Sequence, residues 1–156
     1  MKKVVFSLLS LALASSVAVV TSAKENTANE IKPMAIYYDY EPNNYFDTAS
    51  PFVAYNGNQI NGTLSDNMDE DFYVFTAPSS GYYDFSIAYN NSRVKLSLIL
   101  WDKNYDDIRI VHDTGNGVSF TEYLTKGEKY YLYTSVKTRP VGDSNIPVPY
   151  SIYVYN

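Results

Sequence analysis

Oxygen-bearing side chains are concentrated in one short stretch, YYDYEPNNYFDTAS, at residues 37–50. Asp39, Glu41 and Asn43 stand at alternate positions, so an extended backbone points all three side chains the same way. Pro42 favours that extended form at the residue before it. Calcium takes roughly six to eight hard oxygen ligands in irregular geometry. The spacing therefore makes this stretch a candidate calcium loop, and a solvated turn is the alternative.

A second concentration of carboxylates, at residues 66–71, lies directly before an aromatic and β-branched segment. Two acidic segments repel each other when they meet without a cation, which favours an ion between them. The order of the residues is not that of an EF-hand loop, because Asp-x-Asn here lacks the following glycine and the distal glutamate. Acidic loops are also commonly plain solvated turns, so the spacing alone leaves both interpretations open.

Tyrosine is the other candidate for binding, with 17 Tyr against 7 Phe and 1 Trp. In the last two alternating segments, Tyr131 and Tyr133 share one phase and Tyr153 and Tyr155 share another. If the aliphatic phases face the core, we expect these four tyrosines to face solvent as a ladder on neighbouring strands. Such rings suit a binding surface, and a carbohydrate is one candidate ligand because sugars stack on aromatic rings. The alternative is that cross-strand aromatic pairs only stabilise an exposed sheet.

The segments that must position these side chains show the period of β-strands. Alternating segments are 59–64, 71–76, 81–89, 94–101, 107–113, 118–124, 129–137 and 150–156. Turn residues such as Asn-Gly and Ser-Ser-Gly separate them, and helical periodicity is confined to the first residues of the chain. The pattern predicts an all-β fold, an antiparallel β-sandwich resembling a jelly roll, with about eight strands.

The beginning of the chain predicts a secretory signal. Lys2 and Lys3 precede an apolar run, Val4–Val20, and small residues follow it up to Ala23. A retained membrane anchor is the alternative, although the apolar run is short for that role. We expect a secreted, extracellular protein that does not insert into the membrane after cleavage. The predicted divisions are a signal peptide at 1–23, a flexible leader at 24–36 and a β-sandwich domain at 37–156.

The composition excludes several classes of function. The net charge of −5 argues against nucleic acid and anionic membranes as partners. The absence of cysteine excludes disulfides, thiol catalysis and thiolate zinc, so the core or a bound ion must hold the domain. The single histidine, His112, has Asp113 beside it, but neighbours on a strand point to opposite faces. We therefore expect no enzyme.

Several motifs occur in an order that is informative. They are Glu41-Pro42-Asn43-Asn44 followed by Ala49, then Ile60–Leu64, Asp69–Phe75, Gly81, Lys126–Leu132 and Tyr150-Ser151-Ile152. Together they resemble the bacterial pre-peptidase C-terminal domain, a β-sandwich module found after secreted proteases. Its relatives include the collagen-binding domains of clostridial collagenases. The resemblance covers roughly residues 37–156.

This resemblance implies a set of calcium ligands. In the collagen-binding relatives, an acidic N-terminal segment and an acidic loop before a strand bind calcium together. Carried over, the ligands are Asp39, Glu41, Asn43 and Asn44 from the first segment, with Asp69 and Asp71 from the second. The chain departs from the relatives at Asp39, which replaces a longer glutamate, at Asn44, where an acid is common, and at Met68, where an aspartate is expected. Fewer charges should weaken the affinity.

The resemblance also implies a role. The relatives hold a collagen triple helix with exposed tyrosines on a sheet face, which implies the same use for the tyrosine ladder. We expect a secreted, non-catalytic, calcium-stabilised, monomeric binding module that adheres to an extracellular polymer, such as a collagen-like protein or a polysaccharide. The alternative is a secreted structural or interaction protein, for example an inhibitor or matrix component, that uses its tyrosine face without metal.

Overall fold

A computed structural model describes residues 34–115, 117–142 and 147–156. The predicted signal peptide at 1–23, and the leader as far as residue 33, lie outside the described residues. The strands are β1 Ile36–Tyr38, β2 Ser50–Pro51, β3 Asn58–Leu64, β4 Glu70–Thr76, β5 Gly81–Tyr89, β6 Lys95–Asp102, β7 Asp107–His112, β8 Val118–Leu124, β9 Lys129–Thr138 and β10 Val148–Tyr155. Among the described residues, no helix has the length and apolarity needed to span a membrane.

The ten strands form two five-stranded sheets, which confirms the all-β sandwich. The first sheet has the order β1-β3-β10-β5-β8, and the second has the order β2-β4-β9-β6-β7. There are ten strands rather than about eight because β1 and β2 come from the acidic N-terminal stretch, which the sequence pattern did not predict to pair. Each is parallel to its neighbour, β1 to β3 and β2 to β4, so both sheets are mixed.

The core lies between the two sheets and is filled by one phase of each strand. Ile60, Phe85 and Ile152 come from the first sheet, and Phe75 and Leu132 come from the second. Burying a side chain of this size stabilises the fold by roughly 1.5–3 kcal/mol. Alternation at period 2 therefore decides which face of each strand turns inward.

The two sheets differ on their outer faces. In the second sheet, Phe72 and Tyr131 are buried although they lie on the side away from the core, because strands β4 and β9 are apolar on both faces. In the first sheet, the outer positions in the middle of the face carry polar or small side chains such as Asn61, Ser86 and Ser151, and outward tyrosines such as Tyr82 and Tyr155 are exposed rather than covered. Only one of the two outer faces therefore needs a cover.

The predicted tyrosine ladder does not form. Strand β9 pairs with β4 and β6 in the second sheet, whereas β10 pairs with β3 and β5 in the first. Tyr131 and Tyr133 therefore lie on a different sheet from Tyr153 and Tyr155. The prediction was wrong because strands that follow each other in sequence can cross between the sheets of a sandwich. The connection between β9 and β10 makes such a crossing.

Candidate functional site

A single segment, residues 39–49, joins β1 to β2, and we call it the strap. Because β1 is an edge strand of the first sheet and β2 an edge strand of the second, the strap runs from one sheet to the other. It is fixed at both sheets by backbone hydrogen bonds, from Asp39 N to Asn61 O at 3.0 Å and from Phe72 N to Asn43 O at 3.0 Å. The strap therefore carries its acidic side chains along the start of β4.

Three carboxylates converge where the strap meets β4. Asp39, Glu41 and Asp71 each offer one oxygen, and these oxygens lie within 4.8 Å of one another. Asp71 is fully buried, Asp39 is half-buried and Glu41 is exposed. The side-chain amide of Asn43 donates to Asp39 Oδ1, and its backbone N–H donates to Glu41 Oε2 at 3.0 Å. The structure thus brings together four of the six residues predicted as ligands.

Three buried oxygens at or beside this cluster have no hydrogen-bond partner among the described residues. They are Asn43 Oδ1, Asn44 Oδ1 and Asp71 Oδ1. A buried acceptor without a partner costs about 1–3 kcal/mol, so native proteins rarely leave one. An oxygen-seeking cation removes that cost by accepting the lone pairs. The donor set, made only of carboxylate and amide oxygens, therefore fits calcium.

Asp69 lies beside the three carboxylates rather than among them. Its Oδ2 accepts hydrogen bonds from the backbone N–H and the hydroxyl of Ser65, both at 2.6 Å. It lines a small cavity of about 320 Å³ together with Glu41 and Asn44, the other predicted ligand outside the cluster. Met68 points outward and is exposed. Asp69 thus closes its own loop while adding negative charge to the site.

Burial and mutual repulsion make the three carboxylates hard to ionise. Loss of hydration raises the pKa of Asp71 to about 8, and the nearby charges of Asp39, Asp69 and Glu41 act in the same direction. Burial is also the main reason that the pKa values of Asp39 and Glu41 are raised, and the charge of Asp69 raises both further. A bound cation reverses this effect because it favours the charged form of every carboxylate it faces.

Two buried tyrosines hold Asp71 from the core side. The hydroxyl of Tyr150 donates to Asp71 Oδ2 at 2.5 Å and lies 2.5 Å from the hydroxyl of Tyr73. Gly62 leaves the room for this arrangement, since a Cβ there would overlap Tyr150 and lie 2.8 Å from the Tyr73 hydroxyl. Sequence reasoning missed all three residues. One signal for them was present in the sequence. Both tyrosines stand at the alternate strand positions that face the core, where a buried hydroxyl needs a hydrogen-bond partner.

The sequence matches no protein-family model and no curated protein. Among solved structures, it is similar to the pre-peptidase C-terminal domain of a collagenase from Bacillus anthracis, at 20% identity, over 68% of this chain and 95% of that one, with a TM-score of 0.52. The chain has the fold of a pre-peptidase C-terminal domain. The resemblance inferred from the motifs is confirmed at the level of the fold.

Two further structures show weaker similarity. One is the Yersinia pseudotuberculosis-derived mitogen, at 15% identity over 64% of this chain and 85% of that one, with a TM-score of 0.49. The other is a periplasmic inhibitor of g-type lysozyme from Aeromonas hydrophila, at 15% identity over 69% and 97%, with a TM-score of 0.48. At such identities the function must be argued from the residues that this pre-peptidase C-terminal fold displays.

The predicted tyrosine surface on β9 is covered in this fold. The ring of Phe46, from the strap, lies 5.0 Å from the ring of Tyr131, 4.8 Å from Phe72 and 5.1 Å from Trp101. Tyr131 is consequently only 6% exposed, and Tyr133, which packs against Phe72 and Trp101, is 9% exposed. Sequence reasoning could not see this cover because it comes from a segment more than eighty positions earlier in the chain. On the first sheet, Tyr153 is half-buried and Tyr155 is exposed.

A serine and a histidine also meet in the second sheet. Ser97 Oγ lies 2.8 Å from His112 Nδ1 across the β6–β7 pair. Ser97 is buried, so its hydroxyl is out of reach of a substrate. Asp113 accepts a hydrogen bond from the Tyr89 hydroxyl instead of bonding to the histidine. The pair is therefore a cross-strand hydrogen bond within the sheet.

Proposed function

We propose that the protein is a secreted, non-catalytic binding module that is stabilised by calcium and adheres to an extracellular polymer. The observation that carries the calcium part is the convergence of Asp39, Glu41 and Asp71 around buried oxygens without partners. Support for the binding role comes from the fold, which is that of a pre-peptidase C-terminal domain of a collagenase.

The ion has a definite task in this proposal. Asp39 follows β1 of the first sheet, and Asp71 stands in β4 of the second, so a cation that binds both joins the two sheets through the strap. Its positive charge opposes the burial and the mutual repulsion that raise the pKa values of these carboxylates. Because a folded chain binds the ion and an unfolded chain does not, calcium stabilises the fold by mass action.

The test is thermal unfolding with calcium, with magnesium and with a chelator. We expect calcium to raise the melting temperature and the chelator to lower it, with magnesium much weaker because it requires strict octahedral geometry. In the double variant Asp39→Asn, Asp71→Asn, the calcium effect should be lost. Asp84→Asn is the matched control, since Asp84 is an exposed acid on the first sheet, away from the strap. An identical melting temperature in calcium and in chelator would rule the ion out.

A second candidate function is a structural or interaction protein that uses a tyrosine surface without metal. The observation in its favour is an exposed pair, Tyr82 and Tyr123, which are 71% and 57% exposed with ring centroids 5.4 Å apart. Tyrosine pairs of this kind are enriched where proteins bind one another. If capture of a secreted partner is insensitive to chelator and is lost in Tyr82→Ala, this candidate replaces the first.

A further inference from the structure

The outer face of the first sheet carries a groove of about 910 Å³ that lies across β1, β3, β10 and β5. Its middle is one row of the sheet, where Asn61 pairs with Tyr38 on one side and Ser151 on the other, and Ser151 pairs with Ala88. With strands about 4.8 Å apart, this row is about 14 Å long. The small side chains of Ser151 and Ala88 keep the floor low.

The floor presents neutral hydrogen-bonding groups that are already held in place. Gln59 Nε2 donates to Asn61 Oδ1 at 2.5 Å and to Ser151 Oγ at 3.2 Å, and Ser151 Oγ donates to Asn61 Oδ1 at 2.8 Å. Among the described residues, nothing bonds to the Asn61 amide nitrogen or to Gln59 Oε1. The network therefore leaves one donor group and one acceptor free, on side chains whose conformations are fixed.

The charge and the aromatic content of the groove narrow the choice of ligand. None of the described residues that line it is a lysine or an arginine, and two acids among them, Asp39 and Glu41, belong to the candidate calcium site at its β1 end. An anionic ligand would be disfavoured by the net charge of −5. Tyr38, 60% exposed at the same end, offers a ring face. Neutral amides, a hydroxyl and an aromatic ring match the hydroxyl groups and C–H faces of sugars.

We propose that this groove binds a chain of neutral sugars, with Gln59 and Asn61 bonding to sugar hydroxyls and Tyr38 stacking on a sugar ring. The proposal rests on the proposed function and names the class of polymer. An extended peptide fits less well, because peptides add to sheets along a free edge through backbone hydrogen bonds, whereas this groove crosses four strands.

Co-sedimentation in excess calcium tests the proposal, with four insoluble or gel-embedded neutral glycans as probes: chitin, cellulose, starch and β-1,3-glucan. Collagen fibrils and polygalacturonate are run in parallel. We expect retention on at least one neutral glycan. In Tyr38→Ala and in the double variant Gln59→Ala, Asn61→Ala, the apparent affinity should fall about tenfold or more. Ile36→Ala is the matched control, because it removes an exposed large side chain of the same strand as Tyr38 outside the groove.

The outcomes separate this inference from the proposed function. Retention on collagen or polygalacturonate alone overturns the sugar groove and leaves adhesion to a polymer standing. Retention on a neutral glycan that survives both groove variants, each shown by circular dichroism to be folded, also overturns the groove. Retention on none of the six polymers overturns the groove and the adhesive function together. Loss confined to the groove variants supports both.

Discussion

The outer faces of the two sheets differ in polarity, although both belong to five-stranded mixed sheets. On the second sheet, Phe72, Trp101 and Tyr131 form an apolar surface that the strap covers with Phe46. On the first sheet, polar and small side chains face solvent and leave an open groove. A sheet face that is apolar on its outer side must be covered, and one that is polar is free to bind a ligand.

The comparison also shows why the strap matters to both faces. Its Asp39 and Glu41 line the groove on the first sheet, and its Phe46 covers the second. The same carboxylates form the candidate calcium site with Asp71. Anything that releases the strap should therefore remove the difference between the covered face of the second sheet and the open face of the first.

The largest expected effect is a pH dependence of the metal-free chain. The folded pKa of Asp71, about 8, lies above its ordinary value of 3.8, so the folded state holds the proton more tightly. The stability that this proton provides is complete below about 3.8 and is lost as the pH rises through about 8. The loss is at most on the order of 6 kcal/mol, at about 1.4 kcal/mol per pH unit.

Urea unfolding in chelator across this window measures the effect. Asp39 and Glu41 act in the same direction, since their pKa values are also raised. Asp113, whose pKa is lowered by the hydrogen bond from Tyr89, acts in the opposite direction and only at lower pH. Asp71→Asn should flatten the pH dependence, and calcium should stabilise more at higher pH because its ligands must be deprotonated. A metal-free stability that is constant across the window would contradict the burial of Asp71.

The next largest effect is expected from removing the cover over the second sheet. Phe46→Ala deletes a ring that contacts four others, three on strands of the second sheet and Tyr105 in the turn between β6 and β7. We expect a loss of about 3 kcal/mol, the low end for an aromatic truncation, because Phe46 is only half-buried. Trp101, the single tryptophan, reports the change through a red-shifted fluorescence. On the open face, Tyr38→Ala should change stability by no more than about 0.5 kcal/mol. Equal losses in the two variants would mean that the faces do not differ as described.

A smaller effect is expected from Gly62→Ala in β3. The added Cβ would overlap the Tyr150 hydroxyl, and overpacking of this kind costs about 1–3 kcal/mol. Because Tyr150 holds Asp71 through a hydrogen bond, the variant should also weaken calcium binding. Calcium titration followed by melting temperature separates the two effects. Tyr150→Phe is the companion variant, since it removes the hydrogen bond without adding volume. A Gly62→Ala chain as stable as the parent would show that the hydroxyl pair can move aside.

The smallest expected loss of stability comes from removing a single tyrosine hydroxyl, and it should differ between the outer faces of the two sheets. The hydroxyl of Tyr133 donates to Glu70 Oε1 at 3.0 Å beneath the covered surface, so Tyr133→Phe should cost about 1 kcal/mol. The hydroxyl of Tyr153, on the open face, bonds to no described residue, and Tyr153→Phe should leave the stability unchanged. Chemical denaturation of both variants checks the difference. A larger loss at Tyr153 would reverse the assignment of covered and open faces.

The meeting of the two acidic stretches was predicted from the resemblance to the pre-peptidase C-terminal domain, because like charges by themselves repel. The alternate spacing of Asp39, Glu41 and Asn43 and the carboxylates before β4 both pointed to a shared cation, and the structure brings Asp71 to the strap. The separate position of Asp69 could not be foreseen. Its bond to Ser65 closes a local loop, which competes with its use as a ligand.

Strand periodicity is a local property, so the sequence by itself determined that the chain is all-β and which side chains of a strand share a face. The partner of each strand is a long-range property, set by how the whole apolar surface is buried at once. That is why only the tertiary structure decided that β9 and β10 belong to different sheets. It also decided that a distant phenylalanine, Phe46, closes the surface around Tyr131 while the groove around Asn61 stays open.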